Sequence, residues 1–234
     1  MSLYRPTEPP EVLGPRYREQ ALEPKRTALI SVDMQNEDCS RKKRQGPTAA
    51  GPEGAEKRYF FDRLEQLVIP NQQKLQAATR RLGIENIYVI IESLTKDGRD
   101  RGLDHKASFI NYPRGSWEAQ VIDELAPADD DIIIRKTASG PFGTTNIDYV
   151  LRALDIRQLI VFGVLTDQCV ESTVRSAADY GFLVTLVGDA CATYSQERQD
   201  NTLKAIKGYC RIRTTEELLA ELAELAEQAR KAVA

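Results

Sequence analysis

The sequence predicts an α/β fold of three layers, with a parallel sheet between two sets of helices. Short apolar runs alternate with segments of helical period from residue 27 to the C-terminus. Each run is continuously apolar rather than alternating, as expected of strands buried on both faces of a parallel sheet. No internal repeat or linker separates the first run from the last helix, so residues 26–234 read as one domain.

The elements follow in order. Residues 1–25 carry Pro6, Pro9, Pro10, Pro15 and Pro24 and read as an extended arm, wrapped over the body or over a neighbouring subunit. TALISVD, residues 27–33, is the first strand. The segment from Gln35 to Arg58 is polar, with a basic cluster and several glycines, and reads as a solvated loop. YFFDRLEQLVIPNQQKLQAATRRLG is helical, broken or kinked near Pro70, with Gly83 placed to end it. NIYVIIE, residues 86–92, is the second strand. A long polar segment, 93–115, follows, of the kind that is often functional. Ser116 is placed to cap a short helix, WEAQVIDELA.

DIIIRK, residues 131–136, is the third strand, and Thr145 is a candidate cap for the helix IDYVLRALD. QLIVFGV, residues 158–164, is the fourth strand, with a helix over 169–180. FLVTLVGD, residues 182–189, is the fifth, followed by a helix capped by Ser195. CRIR, residues 210–213, is a short sixth strand. Thr214 and Glu217 form a capping-box signature for the last helix. Its Leu/Ala stripe, LLAELAELAEQA, suits covering the sheet or packing on another subunit.

Composition narrows the function. Lys+Arg 32 against Asp+Glu 35 leaves a net charge of -3, without the basic excess of a nucleic-acid binder. No apolar run is long enough for a membrane span, and the polar, proline-rich N-terminus is not a signal peptide, so a cytoplasmic location is expected. The four cysteines fit no CxxC pattern and are expected as free thiols. The single histidine, His105, rules out a multi-histidine metal site.

Ligands of open α/β sheets bind beyond the carboxyl ends of the strands, where strand order reverses. Those ends here offer Asp33, Glu92, Lys136, the turn Thr166–Asp167–Cys169, and Asp189. Cys169 lies in the turn between a buried strand and the next helix. A helix N-terminus and a nearby Lys136 would lower its pKa, and Asp33 could carry its proton. The backbone N–H groups of Leu165 and Cys169 could face an oxyanion. The plainer alternative stands beside this one: a small cysteine packing helix to strand, with Asp33 in a turn and Lys136 in solvent. Cys39, Cys191 and Cys210 lack the strand-to-helix context and read as structural.

GVLTDQCVESTVRSAADYGF resembles the nucleophile motif of the isochorismatase-like cysteine hydrolase superfamily. ALISVDMQN resembles the segment that carries its aspartate, and IRKTASGPFGTTNID the one that carries its lysine. The similarity spans roughly residues 26–210. It implies a Rossmann-like, six-stranded parallel sheet of order 3-2-1-4-5-6 and a triad of Asp33, Lys136 and Cys169. It also implies a cis peptide at Val164–Leu165 that aims the Leu165 N–H at the oxyanion. The implied activity is hydrolysis of a small linear amide or ureido compound, without organic cofactor, by a homo-oligomer (dimer or tetramer).

Nicotinamidases of this superfamily bind a metal through an aspartate and several histidines. IESLTKDGRDRGLDHK has only His105, which argues against that metal and against nicotinamide. An isochorismatase-type reaction, which needs no cysteine, and a non-catalytic member of the fold remain as alternatives. Asn36, Phe142 and Gln168 are candidate substrate contacts. Lys96, Arg99, Arg101, His105 and Lys106 could grip a substrate carboxylate, although a solvated loop is the preferred reading. Tyr194 is a rim or a core residue.

Overall fold

The computed structural model describes residues 15–41 and 54–233; the expectations for residues 1–14 and for most of the basic loop, 42–53, lie outside them. Six parallel strands form the sheet: β1 (Thr27–Val32), β2 (Glu85–Ile91), β3 (Ile132–Lys136), β4 (Gln158–Val164), β5 (Leu183–Ala192) and β6 (Arg211–Arg213). Their order is β3-β2-β1-β4-β5-β6, as the resemblance implied, with every pairing parallel. β1 and β4, at the centre, are buried at every residue. Each fully buried aliphatic side chain there is worth roughly 1.5–3 kcal/mol. β3 is an edge strand, and its Ile133 is exposed. The continuous apolar run there does not mean two covered faces.

The helices are α1 (Asn36–Cys39), α2 (Gly54–Arg63), α3 (Ile69–Arg81), α4 (Leu103–Ala107), α5 (Ile147–Ala153), α6 (Glu171–Asp179), α7 (Gln196–Ile206) and α8 (Thr215–Val233). α3 packs on β2, β5 and α8, whereas α6 packs on β5 and α7. Right-handed crossovers require this division, because the chain runs one way from β1 and the other way after β3. Among the described residues no helix is long and apolar enough to cross a membrane. The proximal arm lies on the body: Leu22 is buried, its N–H donates to Glu221 at 3.1 Å, and Gln158 Nε2 donates to the Ala21 carbonyl at 2.9 Å.

Several boundaries differ from the sequence reading. At Pro70 the helical run is not broken but widens to a π turn over Leu64–Val68, just before the proline, which is how a continuous helix accommodates the backbone donor that Pro70 lacks. The Gln35–Arg58 segment is not all loop, since it holds α1 and the start of α2.

The helix expected over WEAQVIDELA does not form. Ser116 does accept the Ala119 N–H at 3.3 Å, but turns and a single 3₁₀ turn at Asp123–Leu125 follow. The backbone of this segment is used elsewhere. The Gln120 and Glu118 carbonyls accept the N–H groups of Asn36 and Glu37, and the Ile122 N–H donates to Met34. These tertiary hydrogen bonds replace helical ones.

The other caps form. Ser195 accepts the Arg198 N–H at 3.2 Å. Thr214 and Glu217 exchange their reciprocal bonds at 2.8 and 3.2 Å. Thr145 accepts the Ile147 N–H at 3.1 Å, one residue before the formal cap.

Candidate active site

β1 ends at the reversal point and delivers Asp33. Its φ of +52° is left-handed, which costs a side-chain-bearing residue about 1–3 kcal/mol and is held only by its surroundings. The Asp33 N–H donates to the Val89 carbonyl at 2.9 Å. Gln35, two residues on, is fully buried. Its Nε2 donates to the carbonyls of Ile91 and Ala119, both at 2.8 Å, and its Oε1 accepts the Ile91 N–H at 2.7 Å. This side chain clamps the ends of β1 and β2 to the 116–122 segment. Nothing in the sequence pattern distinguishes it from a surface glutamine.

β4 lies against β1 closely enough that a Cβ on Gly163 would stand 2.1 Å from the Val32 carbonyl oxygen. The Val164–Leu165 peptide is cis. Cys169 then falls in a π turn, Thr166–Val170, rather than in the first turn of a regular helix. Both flanks of that turn are fastened. Thr166 donates to Gln199 Oε1 at 2.6 Å. Asp167 accepts from Thr193 at 2.6 Å and from the Arg198 guanidinium at 2.6 and 2.5 Å. α7 therefore fixes where the sulfur points.

Lys136, the last residue of the edge strand, turns inward. Its Nζ donates to Asp33 Oδ2 at 2.8 Å and lies 3.5 Å from Cys169 Sγ. Asp33 is 2% and Lys136 1% exposed. The structure thus brings the three residues into one buried cluster. Asp33 Oδ1 has no hydrogen-bond partner, so an acceptor is free beside the thiol.

Burial holds the Asp33 carboxyl above its usual 3.8, against the opposing pull of the Lys136 ammonium. Burial alone would push Lys136 down, but the Asp33 carboxylate first, and Cys169 beside it, hold it above 10.5. For Cys169 the expectation of a lowered pKa is wrong. Burial, then the Asp33 carboxylate, pushes the thiol up to about 12, and Lys136 only partly offsets them. The resting cluster is a carboxylate–ammonium pair beside a neutral thiol. The three groups share protons as one unit.

A cavity of about 750 Å³ opens over this cluster, within the size range of small-molecule sites. Leu165, Gln168, Cys169 and Ser172 line one wall. Glu37 and Asp38 of α1 line another, and the 104–112 stretch, with Asp104, His105, Phe109 and Tyr112, a third. Tyr194 lines the cavity too, and its ring stands edge-on to Phe60 with centroids 5.4 Å apart. Burial pushes His105 down to about 4, with the Lys136 charge adding to it, so its imidazole is neutral.

Among the earlier candidates, Gln168 reaches the cavity, whereas Asn36 and Phe142 do not line it. Asn36 Nδ2 donates to the Trp117 carbonyl at 3.0 Å and serves the fold. Phe142 packs in the core against Tyr180 and Phe182. Lys96, Arg99, Arg101 and Lys106 are not in the lining. Arg101 instead donates to the Gly98 and Ile110 carbonyls at 2.8 and 2.7 Å and braces its own loop. Glu92, just past β2, and Asp189, which lies inside β5 rather than at its end because that strand continues to Ala192, are structural ties. Glu92 pairs with Arg135 and accepts the Gly115 N–H, and Asp189 anchors Thr215 at the start of α8. Among the described residues no three His, Cys, Asp or Glu side chains are grouped to hold a metal ion.

A family model for the isochorismatase domain matches residues 27–217. The ureidoacrylate amidohydrolase RutB of Acinetobacter baylyi is 32% identical over 187 residues, covering 73% of this chain and 72% of that protein. RutB of Rhizobium rhizogenes is 31% identical over 189 residues, covering 72% and 71%. A cysteine hydrolase from Pseudomonas syringae pv. phaseolicola superposes with a TM-score of 0.74 at 27% identity, over 88% of this chain and 96% of that one.

Proposed function

The chain belongs to the isochorismatase family, and from that premise we propose that it is a cysteine amidohydrolase, cleaving the carbon–nitrogen bond of a small linear amide or ureido compound through a thioester. The meeting of Asp33, Lys136 and Cys169, with Asp33 and Cys169 lining one cavity and Lys136 buried behind them, carries this assignment. The likeness to ureidoacrylate amidohydrolases supports the bond type.

As Sγ attacks the carbonyl carbon, the thiol proton passes to Asp33, whose Oδ1 is free to take it. Because the resting sulfur is protonated, this transfer accompanies attack rather than preceding it. The carbonyl electrons move to oxygen, where the N–H groups of Leu165 and Cys169 receive the oxyanion. On collapse the C–N bond breaks, Asp33 returns the proton to the departing nitrogen, and ammonia or an amine leaves. A water then gives its proton to Asp33 and attacks the thioester. The C–S bond breaks, the sulfur recovers the proton, and the acid is released. Lys136 remains an ammonium throughout, holding the carboxylate in register with the sulfur.

The test is ammonia release from a panel of ureidoacrylate, biuret, N-carbamoylsarcosine and simple linear amides. Cys169→Ala is expected to abolish it while the chain still folds. Silence on every amide, or undiminished turnover by Cys169→Ala, overturns the proposal.

A further inference from the structure

His105 borders the cavity in a way that the reaction just described does not use. It is 1% exposed, lines the cavity, and its Nδ1 has no hydrogen-bond partner. Buried polar atoms are nearly all paired in folded proteins, and an exception calls for a role. The imidazole also feels the triad: after burial, the Lys136 charge is the next cause that pushes its pKa down to about 4. At neutral pH the ring is therefore uncharged, with one N–H donor and one bare acceptor nitrogen.

The backbone holds this ring in place. The Gly102 N–H, at the start of α4, donates to the Thr137 carbonyl at 2.8 Å, one residue past Lys136. The Ile110 N–H donates to the carbonyl of His105 itself at 2.9 Å. The Arg101 guanidinium joins the Gly98 and Ile110 carbonyls. α4 is thus fastened to the strand end that supplies Lys136, and His105 is fixed beside the same end. A firmly placed side chain with an unused polar atom suits recognition, because ligand sites are largely preformed and take their specificity from a few such groups. Ser139, Gln168 and Ser172, polar and uncharged, line the same cavity.

Resting on the amidohydrolase reading above, we propose that His105 is a specificity residue: it hydrogen-bonds an uncharged polar group beyond the scissile carbonyl, a second amide or ureido group. A neutral imidazole meets either half of such a group, donating to its carbonyl or accepting from its N–H. An apolar end group would leave the ring nitrogen unpaired, and a site built to bond a polar group rejects the analogue that lacks it.

The test compares malonamide with 3-methylbutanamide, which has the same branched shape but an apolar end. Both are neutral, so the charge of the lining drops out of the comparison. Ammonia release by the full chain should favour malonamide in kcat/KM by about tenfold or more. His105→Phe, which keeps a ring and removes both nitrogens, should lose about tenfold more on malonamide than on 3-methylbutanamide, and His105→Asn should restore part of the difference. Equal losses on the two amides would make His105 structural and overturn the proposal. A second readout needs no change at position 105. His105 is the only histidine of the chain, so the nitrogen NMR signals of its imidazole need no further assignment. In Cys169→Ala they should move with malonamide and not with 3-methylbutanamide; signals that ignore malonamide overturn the proposal even if His105→Phe does not fold. A chain that hydrolyses neither amide, nor any of the earlier panel, fails the proposed function, while the imidazole signals still decide the role of His105.

Discussion

Replacing Lys136 by methionine keeps length and burial but removes the charge. In the structure Nζ lies 2.8 Å from Asp33 Oδ2, with side-chain exposures of 0% and 3%. Breaking a buried pair from one side costs about 3–5 kcal/mol, because the surviving carboxylate is left uncompensated. For a chain of this size that corresponds to a fall in Tm on the order of 10 °C. The loss depends on pH with a definite sign. The folded-state pKa of Asp33 already lies above its ordinary value. Its contribution to stability is therefore full below about pH 4 and declines as pH rises through the folded pKa. Removing the ammonium takes away the influence that lowers this pKa, so the decline extends to higher pH. Urea denaturation of both proteins from about pH 4 to about pH 8 should show a stability gap that widens with pH. Turnover should fall by about 10²–10⁴-fold, since a protonated Asp33 cannot accept the thiol proton. A gap that stays flat with pH, together with unimpaired turnover, would refute the picture of a buried ion pair serving as the base.

Three further outcomes are expected. Gly163→Ala places a Cβ 2.1 Å from the Val32 carbonyl oxygen at a φ of 133°, so β4 cannot keep its seat beside β1; soluble yield and Tm should collapse, with a cost above about 4 kcal/mol. Alkylation of Cys169 by iodoacetamide without substrate should be slow at neutral pH and climb steadily through pH 9 and 10, because the thiol is held up to about 12; a fast plateau near pH 7 would show a resting thiolate instead. Asp167→Asn removes the charge from its bond to Arg198, loosening the nucleophile turn; kcat should fall more than KM rises, and a change in Tm with unaltered kcat would reduce Asp167 to a purely structural tie.

The sheet was legible in the sequence because the inner strands' apolar runs record burial on both faces, and the two edge strands, β3 and β6, depart from that. The three cluster residues were legible as polar groups closing strands, and the resemblance supplied which of them act together. Two kinds of information were missing. Gln35 and Gln199 act through hydrogen bonds to carbonyls 56 and 11 residues away, which leaves no local pattern. The segment from Trp117 has the composition of a helix, yet its carbonyls are claimed by Asn36 and Glu37. Periodicity cannot register such competition. The Cys169 pKa was misjudged for a related reason. A helix terminus and a lysine are visible in sequence, whereas the desolvation that outweighs them is a property of the packed interior.

Why the polar strand ends divided into chemistry and scaffolding follows from the topology. β1 and β4 are neighbours that diverge at the reversal, so Asp33 and Cys169 overlook a gap that no crossover helix fills. Glu92 follows β2 and Asp189 lies within β5, on either side of that gap, and both are used to tie Arg135, Gly115 and Thr215. Lys136 starts two strands from Asp33, a separation of roughly 10 Å at ordinary strand spacing, and only a long side chain returns from there. Between the two long cations, an ammonium is the better fit. Its compact charge reaches one carboxylate oxygen and the sulfur at once. A guanidinium fork would engage both carboxylate oxygens and occupy the acceptor that the thiol proton needs. The edge position of β3 is thus part of the site's chemistry: it supplies a positive charge from a distance that suits lysine and leaves Oδ1 open.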